Sequence, residues 1–174
     1  MTPRLEDVIQ HDKHGLMKIH SAVLNGTLFD IRHCAEELHS LGLSIDQKTT
    51  PDGYTALHMA LIRRKNADVL YMLLSLGADP SANNHRDQPS LLLATKPRAL
   101  KQGVPDAPPP PFLGLLAATQ PHVVEQVCRQ TDSQGLTAIM HCARHGWADE
   151  LELLLEHTPR SVVTMAHHQT GQTP

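Results

Sequence analysis

The chain has 174 residues, 40% of them apolar, which is enough for one domain with a buried core. Fifteen Lys and Arg against eighteen Asp and Glu leave a formal charge of −3, and with no basic block and only two Phe, two Tyr and one Trp the sequence offers neither a phosphate-tracking surface nor a stacking platform for bases. Nucleic acid is therefore not expected as a partner, nor is a membrane, because no apolar run approaches the roughly 18 residues that span a bilayer and Met1 is not followed by a basic and then an apolar stretch.

From the N-terminus, Leu5, Val8 and Ile9 stand at helical spacing and predict a short helix over 5–10. Further on, Asp52-Gly53-Tyr54-Thr55-Ala56-Leu57-His58-Met59-Ala60 returns as Ser133-Gln134-Gly135-Leu136-Thr137-Ala138-Ile139-Met140-His141-Cys142-Ala143. Each is followed by a second apolar run, over 69–76 and 151–155, and the first of these closes on Gly77-Ala78-Asp79-Pro80. Between the two copies, Lys96-Pro97 and then Asp106-Ala107-Pro108-Pro109-Pro110-Pro111 cannot continue a helix, since consecutive prolines lack donors and prefer an extended path.

The recurring stretch resembles the ankyrin repeat, whose family pattern is G-x-T-P-L-H-x-A-A, a helix-turn-helix and a G-A-D turn at a period of about 33 residues. Two weaker copies fit. Gly15-Leu16-Met17-Lys18-Ile19-His20-Ser21-Ala22 keeps the Gly, His and Ala with Met-Lys for Thr-Pro, and Asp87-Gln88-Pro89-Ser90-Leu91-Leu92-Leu93-Ala94 keeps the apolar and Ala slots. Gly171-Gln172-Thr173-Pro174 looks like the opening of another unit, so a longer parent protein is expected. The resemblance implies an all-α, ankyrin-type solenoid of stacked helix-turn-helix repeats with projecting turns, about four repeats plus a truncated fifth. The expected divisions are a capping helix at 1–11, a degenerate repeat 1 at 12–48 with a long second helix over 30–41, and repeat 2 at 49–83. Repeat 3 follows at 84–131 with a proline-rich insertion at 96–111 and helix on either side of it, at 90–94 and 112–118. Repeat 4 takes 132–167, and the fifth begins at 168–174. The helix over 5–10 then covers the open apolar side of the first unit.

Within the repeats Thr55 and Thr137 are placed to cap first helices, and His20 and His58 occupy the position where the family's imidazole joins turn to helix. Cys142 takes the small-residue slot of Ala22 and Ala60 and reads as a buried, inert thiol. With Cys34 and Cys128 it is one of three cysteines, too scattered for a disulfide framework or a zinc knuckle, so reduced thiols in the cytoplasm or nucleus are expected. His141 and His145 stand at i, i+4, the spacing at which two imidazoles share a metal ion, but no third acidic ligand accompanies them; both are assigned to the groove-facing side as partner contacts, and no metal is expected. His11, His14, His167 and His168 read as surface residues. No nucleophile elbow, phosphate loop, kinase motif set or paired-cysteine site is present, and Cys34 with His33 or His39 has nothing to supply an oxyanion hole, so neither catalysis nor a cofactor is expected. The prolines 108–111 are either a rigid surface loop or a ligand for a proline-binding groove.

What the resemblance implies about function is partner holding, through first-helix positions and turn tips. The helix set is Ser21, Leu24, Asn25, Met59, Ile62, Arg63, His141, Arg144 and His145; the turn set is Gln47, Lys48, Thr50, Asn83, His85, Arg86, Thr131, Asp132 and Ser133. Met59 and Ile62 are read as apolar anchors on a solvent-facing groove. The expected role is a protein-protein interaction module, an adaptor or scaffold whose partner is another protein. The alternative is the substrate-recruiting segment of a larger enzyme or of a secreted bacterial effector working in the host cytosol. Self-association through the unfinished C-terminal end is a further expectation.

Overall fold

The computed structural model describes residues 4–94, 124–125, 128–132 and 135–158. Its helices are α1 (Leu5–Ile9), α2 (Lys18–Asn25), α3 (Leu28–Ser40), α4 (Ala56–Ile62), α5 (Ala67–Ser75), α6 (Ser90–Ala94), α7 (Ala138–His145) and α8 (Ala148–His157). Extended pairing among the described residues is limited to an isolated bridge between Asn83 and Pro89. None of these helices is long and apolar enough to cross a membrane. The proline-rich stretch 96–111, the helix expected over 112–118, Ser133, His167 and the start of a fifth unit at 168–174 lie outside the described residues.

Side-chain caps set the helix starts. Thr27 Oγ1 accepts the Asp30 N–H while the Asp30 carboxylate accepts the Thr27 N–H at 2.7 Å. Thr55, Asn66 and Thr137 likewise accept a backbone N–H with their side-chain oxygens at the starts of α4, α5 and α7. Left-handed glycines set three of the ends: α3, α5 and α7 run into Gly42 (φ +70°), Gly77 (φ +87°) and Gly146 (φ +68°), and the next N–H returns to the carbonyl of Leu38, Leu73 or Cys142.

The turn ahead of each first helix is built four times in the same way. Asp12, Thr49, Asn84 and Asp132 each donate a backbone N–H to the carbonyl of Leu16, Tyr54, Gln88 and Leu136, at 2.8, 2.9, 3.0 and 2.9 Å. Their side-chain oxygens accept the N–H of the same four residues at 2.9 to 3.0 Å. Closing such a turn needs a left-handed residue, and it is Gly15, Gly53, Asp87 and Gly135, at φ +72°, +72°, +53° and +74°. Asp tolerates that region where branched residues do not, so the third turn keeps its shape without glycine.

Packing follows from these starts and stops. α2 lies against α3 and α4, α4 against α5 and α6, α3 against α5, and α7 against α8. Helix pairs α2/α3 and α4/α5 therefore stand side by side, first helix on first and second on second. The core between them is built on Ile19, Ile31, Leu38, Leu57, Leu70 and Leu73, all fully buried; each contributes about 1.5–3 kcal/mol by leaving water. Ala60 and Cys142 are wholly buried in the small-residue slot. α1 covers the first unit only in part: Val8 is buried on the side that meets α3, whereas Leu5 and Ile9 stay 49% and 38% exposed. Val8 and Ile9 point about 100° apart on so short a helix, and α3 meets only the Val8 edge of the stripe.

Candidate functional site

The histidines of the repeat motif are joints. His58 Nδ1 accepts the Thr55 N–H at 3.2 Å, so Nε2 carries the proton and donates to the Gln88 carbonyl in the next turn at 3.1 Å. His20 does the same between the Met17 N–H, at 3.1 Å, and the Gln47 carbonyl, at 3.0 Å. Burial pushes His58 down to about 4 and His20 below the usual imidazole range, so both are neutral at physiological pH with each ring nitrogen already committed. After the turn over 132–136, Met140 stands in this slot and the following residue is used instead: His141 Nε2 meets Asp132 Oδ2 at 3.1 Å, with both side chains buried.

That pairing corrects two expectations. Asp132, assigned to an exposed turn tip, is buried and spends its carboxylate on the Leu136 N–H and His141. His141, assigned to a groove, is 5% exposed, and it stacks on His145 with ring centroids 6.4 Å apart, while His145 leans on Trp147 at 5.2 Å. Among the described residues no group of three His, Cys, Asp or Glu could hold a metal ion. Met59, in the slot equivalent to His141, is also buried, at 9% exposure. The reason lies in the packing: α4 is surrounded by α2, α5 and α6, which leaves its residues 56–61 no solvent-facing side.

Other members of the turn set bind neighbouring turns. The Thr50 N–H donates to the Gly15 carbonyl at 2.9 Å and the His85 N–H to the Asp52 carbonyl at 3.0 Å. His85 Nδ1 also donates to the Pro51 carbonyl at 2.6 Å, and Arg86 pairs with Asp52 at 3.4 Å. A Cβ on Gly15 would collide with the Thr50 carbonyl, and one on Gly53 with the His85 ring, so these glycines serve close turn-to-turn approach as well as φ. The Gln47 carbonyl accepts from His20 and the Lys48 carbonyl from His11, while Asn83 is half-buried at its bridge to Pro89. Thr50, Lys48, His85, Arg86 and Thr131 keep exposed side chains.

Of the helix set, Asn25, Ile62, Arg63 and Arg144 are exposed and Leu24, Ser21 and His145 half-buried. Leu24, Asn25 and Arg63 line one cleft at the C-terminal ends of α2 and α4, together with Lys65. Ser21 lines a different one, beneath α1, with Lys18, Cys34 and residues of the N-terminal segment. Lys65 is not among the residues that the repeat pattern singles out; the run Arg63-Arg64-Lys65 is the signal that marks it. Phe29, 74% exposed on the N-terminal turn of α3, belongs to no motif and escapes a reading by pattern.

The second helix pair, with its leading turn and the tip of the next, is the part of the chain that a known family model recognises. The model described as Ankyrin repeat matches residues 52–85. No curated protein matches the chain. From Asp52 to His85 the caps, the buried imidazole and the glycine turn are those of one ankyrin repeat, and this stretch of the chain is an ankyrin repeat.

Proposed function

We propose that the chain is a protein-binding module without chemistry of its own, a stack of four ankyrin-type units acting inside the cell. One observation carries this reading: the paired bonds of the turn over 49–54, which leads into the matched repeat's first helix, recur at 12–16, 84–88 and 132–136. A stack of this kind gains stability from neighbour-to-neighbour joints and presents an extended surface rather than a closed cavity. The imidazoles are consumed in those joints, which leaves Asn25, Ile62, Arg63, Arg86 and Arg144 among the accessible side chains of the helix and turn sets.

The test is affinity capture from lysate with the chain as bait, beside a variant carrying Arg63→Glu, Arg86→Glu and Arg144→Glu, with captured proteins identified by mass spectrometry. A protein held by the parent chain and lost from the variant is the expected result. Capture of the same set by both would overturn the assignment of these surfaces.

A further inference from the structure

The cleft between the C-terminal end of α2 and the α4–α5 connection has a volume of about 410 Å³ and a one-sided charge. The connection reads Arg63-Arg64-Lys65, and Arg63 and Lys65 line the cleft with no carboxylate beside them among the described residues of its walls. Lys65 is held in place: Nζ donates to the Leu24 carbonyl at 2.6 Å, which fixes the ammonium over the end of α2 and leaves two N–H donors for a ligand. Arg63 is exposed beside Ile62, itself 36% exposed, and Leu24 and Asn25 form the opposite wall. On a chain of formal charge −3 this is a local positive site on an acidic protein.

We propose that this cleft binds an acidic peptide segment of the partner, with a carboxylate taken between Arg63 and Lys65 and an apolar neighbour set against Ile62 and Leu24. The proposal rests on the reading of the chain as a protein-binding module and names the chemistry of what it binds. Charge complementarity selects the occupant. A guanidinium fork and a pre-positioned ammonium suit a carboxylate, and the Asn25 amide can donate to or accept from the peptide backbone. A nucleic acid backbone would need cations repeated along a track, and here they end with one loop.

The experiment titrates the full chain into a fluorescent peptide of alternating Glu and Leu, and into the same peptide with Gln for Glu, reading anisotropy at low and high salt. The Glu peptide is expected to bind more tightly, and to weaken as salt screens it. Arg63→Glu is expected to abolish the preference, Lys65→Met to weaken it about tenfold, and Lys13→Glu, at an exposed position of the first turn outside the helix and turn sets, to leave it intact. Arg63 is exposed on the surface, so its variant should retain the parent's circular dichroism. Equal binding of the two peptides, no binding of either, a preference that survives Arg63→Glu, or tighter binding of a single-stranded oligonucleotide would each overturn the proposal. A partner that lysate capture loses with Arg86→Glu or Arg144→Glu but keeps with Arg63→Glu would leave the module reading standing and remove only the cleft.

Discussion

His58 Nε2 donates to the carbonyl of Gln88, thirty residues further along the chain, at 3.1 Å. The bond ties the first helix of one unit to the turn of the next, and His20 makes the equivalent bond to Gln47. Helices α2 and α4, each tied to the following turn through a buried neutral imidazole, depend on those rings staying unprotonated.

Stability is accordingly expected to fall in mild acid. His58 titrates near 4 when folded and near 6.5 when unfolded, so its contribution is complete above about pH 6.5 and is lost as pH falls toward 4, because the unfolded chain binds the proton first. At pH 5 this amounts to about 2 kcal/mol, and His20, shifted the same way, adds to it. Asp46, pushed up by burial, acts in the opposite sense. Urea midpoints between pH 7 and 5 measure the sum. His58→Gln should be less stable at pH 7 yet show a shallower pH dependence, and an unchanged slope would remove His58 from the account.

Gly53 and Gly77 both have positive φ, but only Gly53 faces an obstacle, the His85 ring, where Gly77 has open space. Gly77→Ala is expected to cost about 1 kcal/mol from backbone conformation alone. Gly53→Ala should cost clearly more, because the next turn must also move. Equal melting temperatures for the two variants would show that the turns are not packed as described.

Ala60 and Cys142 are fully enclosed at equivalent places in two first helices. Enlarging either to Leu is expected to destabilise by about 1–3 kcal/mol through overpacking. Thermal unfolding reads this directly, and a midpoint unchanged in both variants would place the two residues outside the helix interfaces.

The three thiols should be reactive in a fixed order. Burial pushes Cys142 up to about 12 and raises Cys128 and Cys34 above the ordinary thiol range, but Cys142 and Cys128 are enclosed whereas Cys34 is half-buried beside an open cleft, so access sets the order. A disulfide reagent added to the native protein should modify Cys34 first and the other two only on unfolding. Prompt modification of Cys142 would mean that its helix opens readily.

Much of the repeat is legible in sequence because its determinants are local. Thr55 caps α4, Gly53 takes the left-handed position and Gly77 ends the second helix for reasons contained in each residue and its immediate neighbours. The third turn is the faintest in sequence, since Asp87 stands where the others have Gly, yet its bonds match theirs. The signal that could have revealed it is the recurrence of Asp12, Thr49, Asn84 and Asp132, whose short polar side chains each accept from the turn they open.

The sequence by itself determined which residues start, stop and turn the chain, because caps, φ preferences and apolar spacing act over a few residues. Which side chains remain for a partner was decided only by the tertiary structure. Met59 and Ile62 are three residues apart on one helix, and one is enclosed by α6 and its neighbours while the other reaches solvent. Arg63 and Lys65 become a site with Leu24 only because α2 and α4 end side by side. Exposure and convergence depend on what lies across the interface, up to forty-one residues away along the chain in the bond from Lys65 to Leu24, and no local pattern encodes that distance.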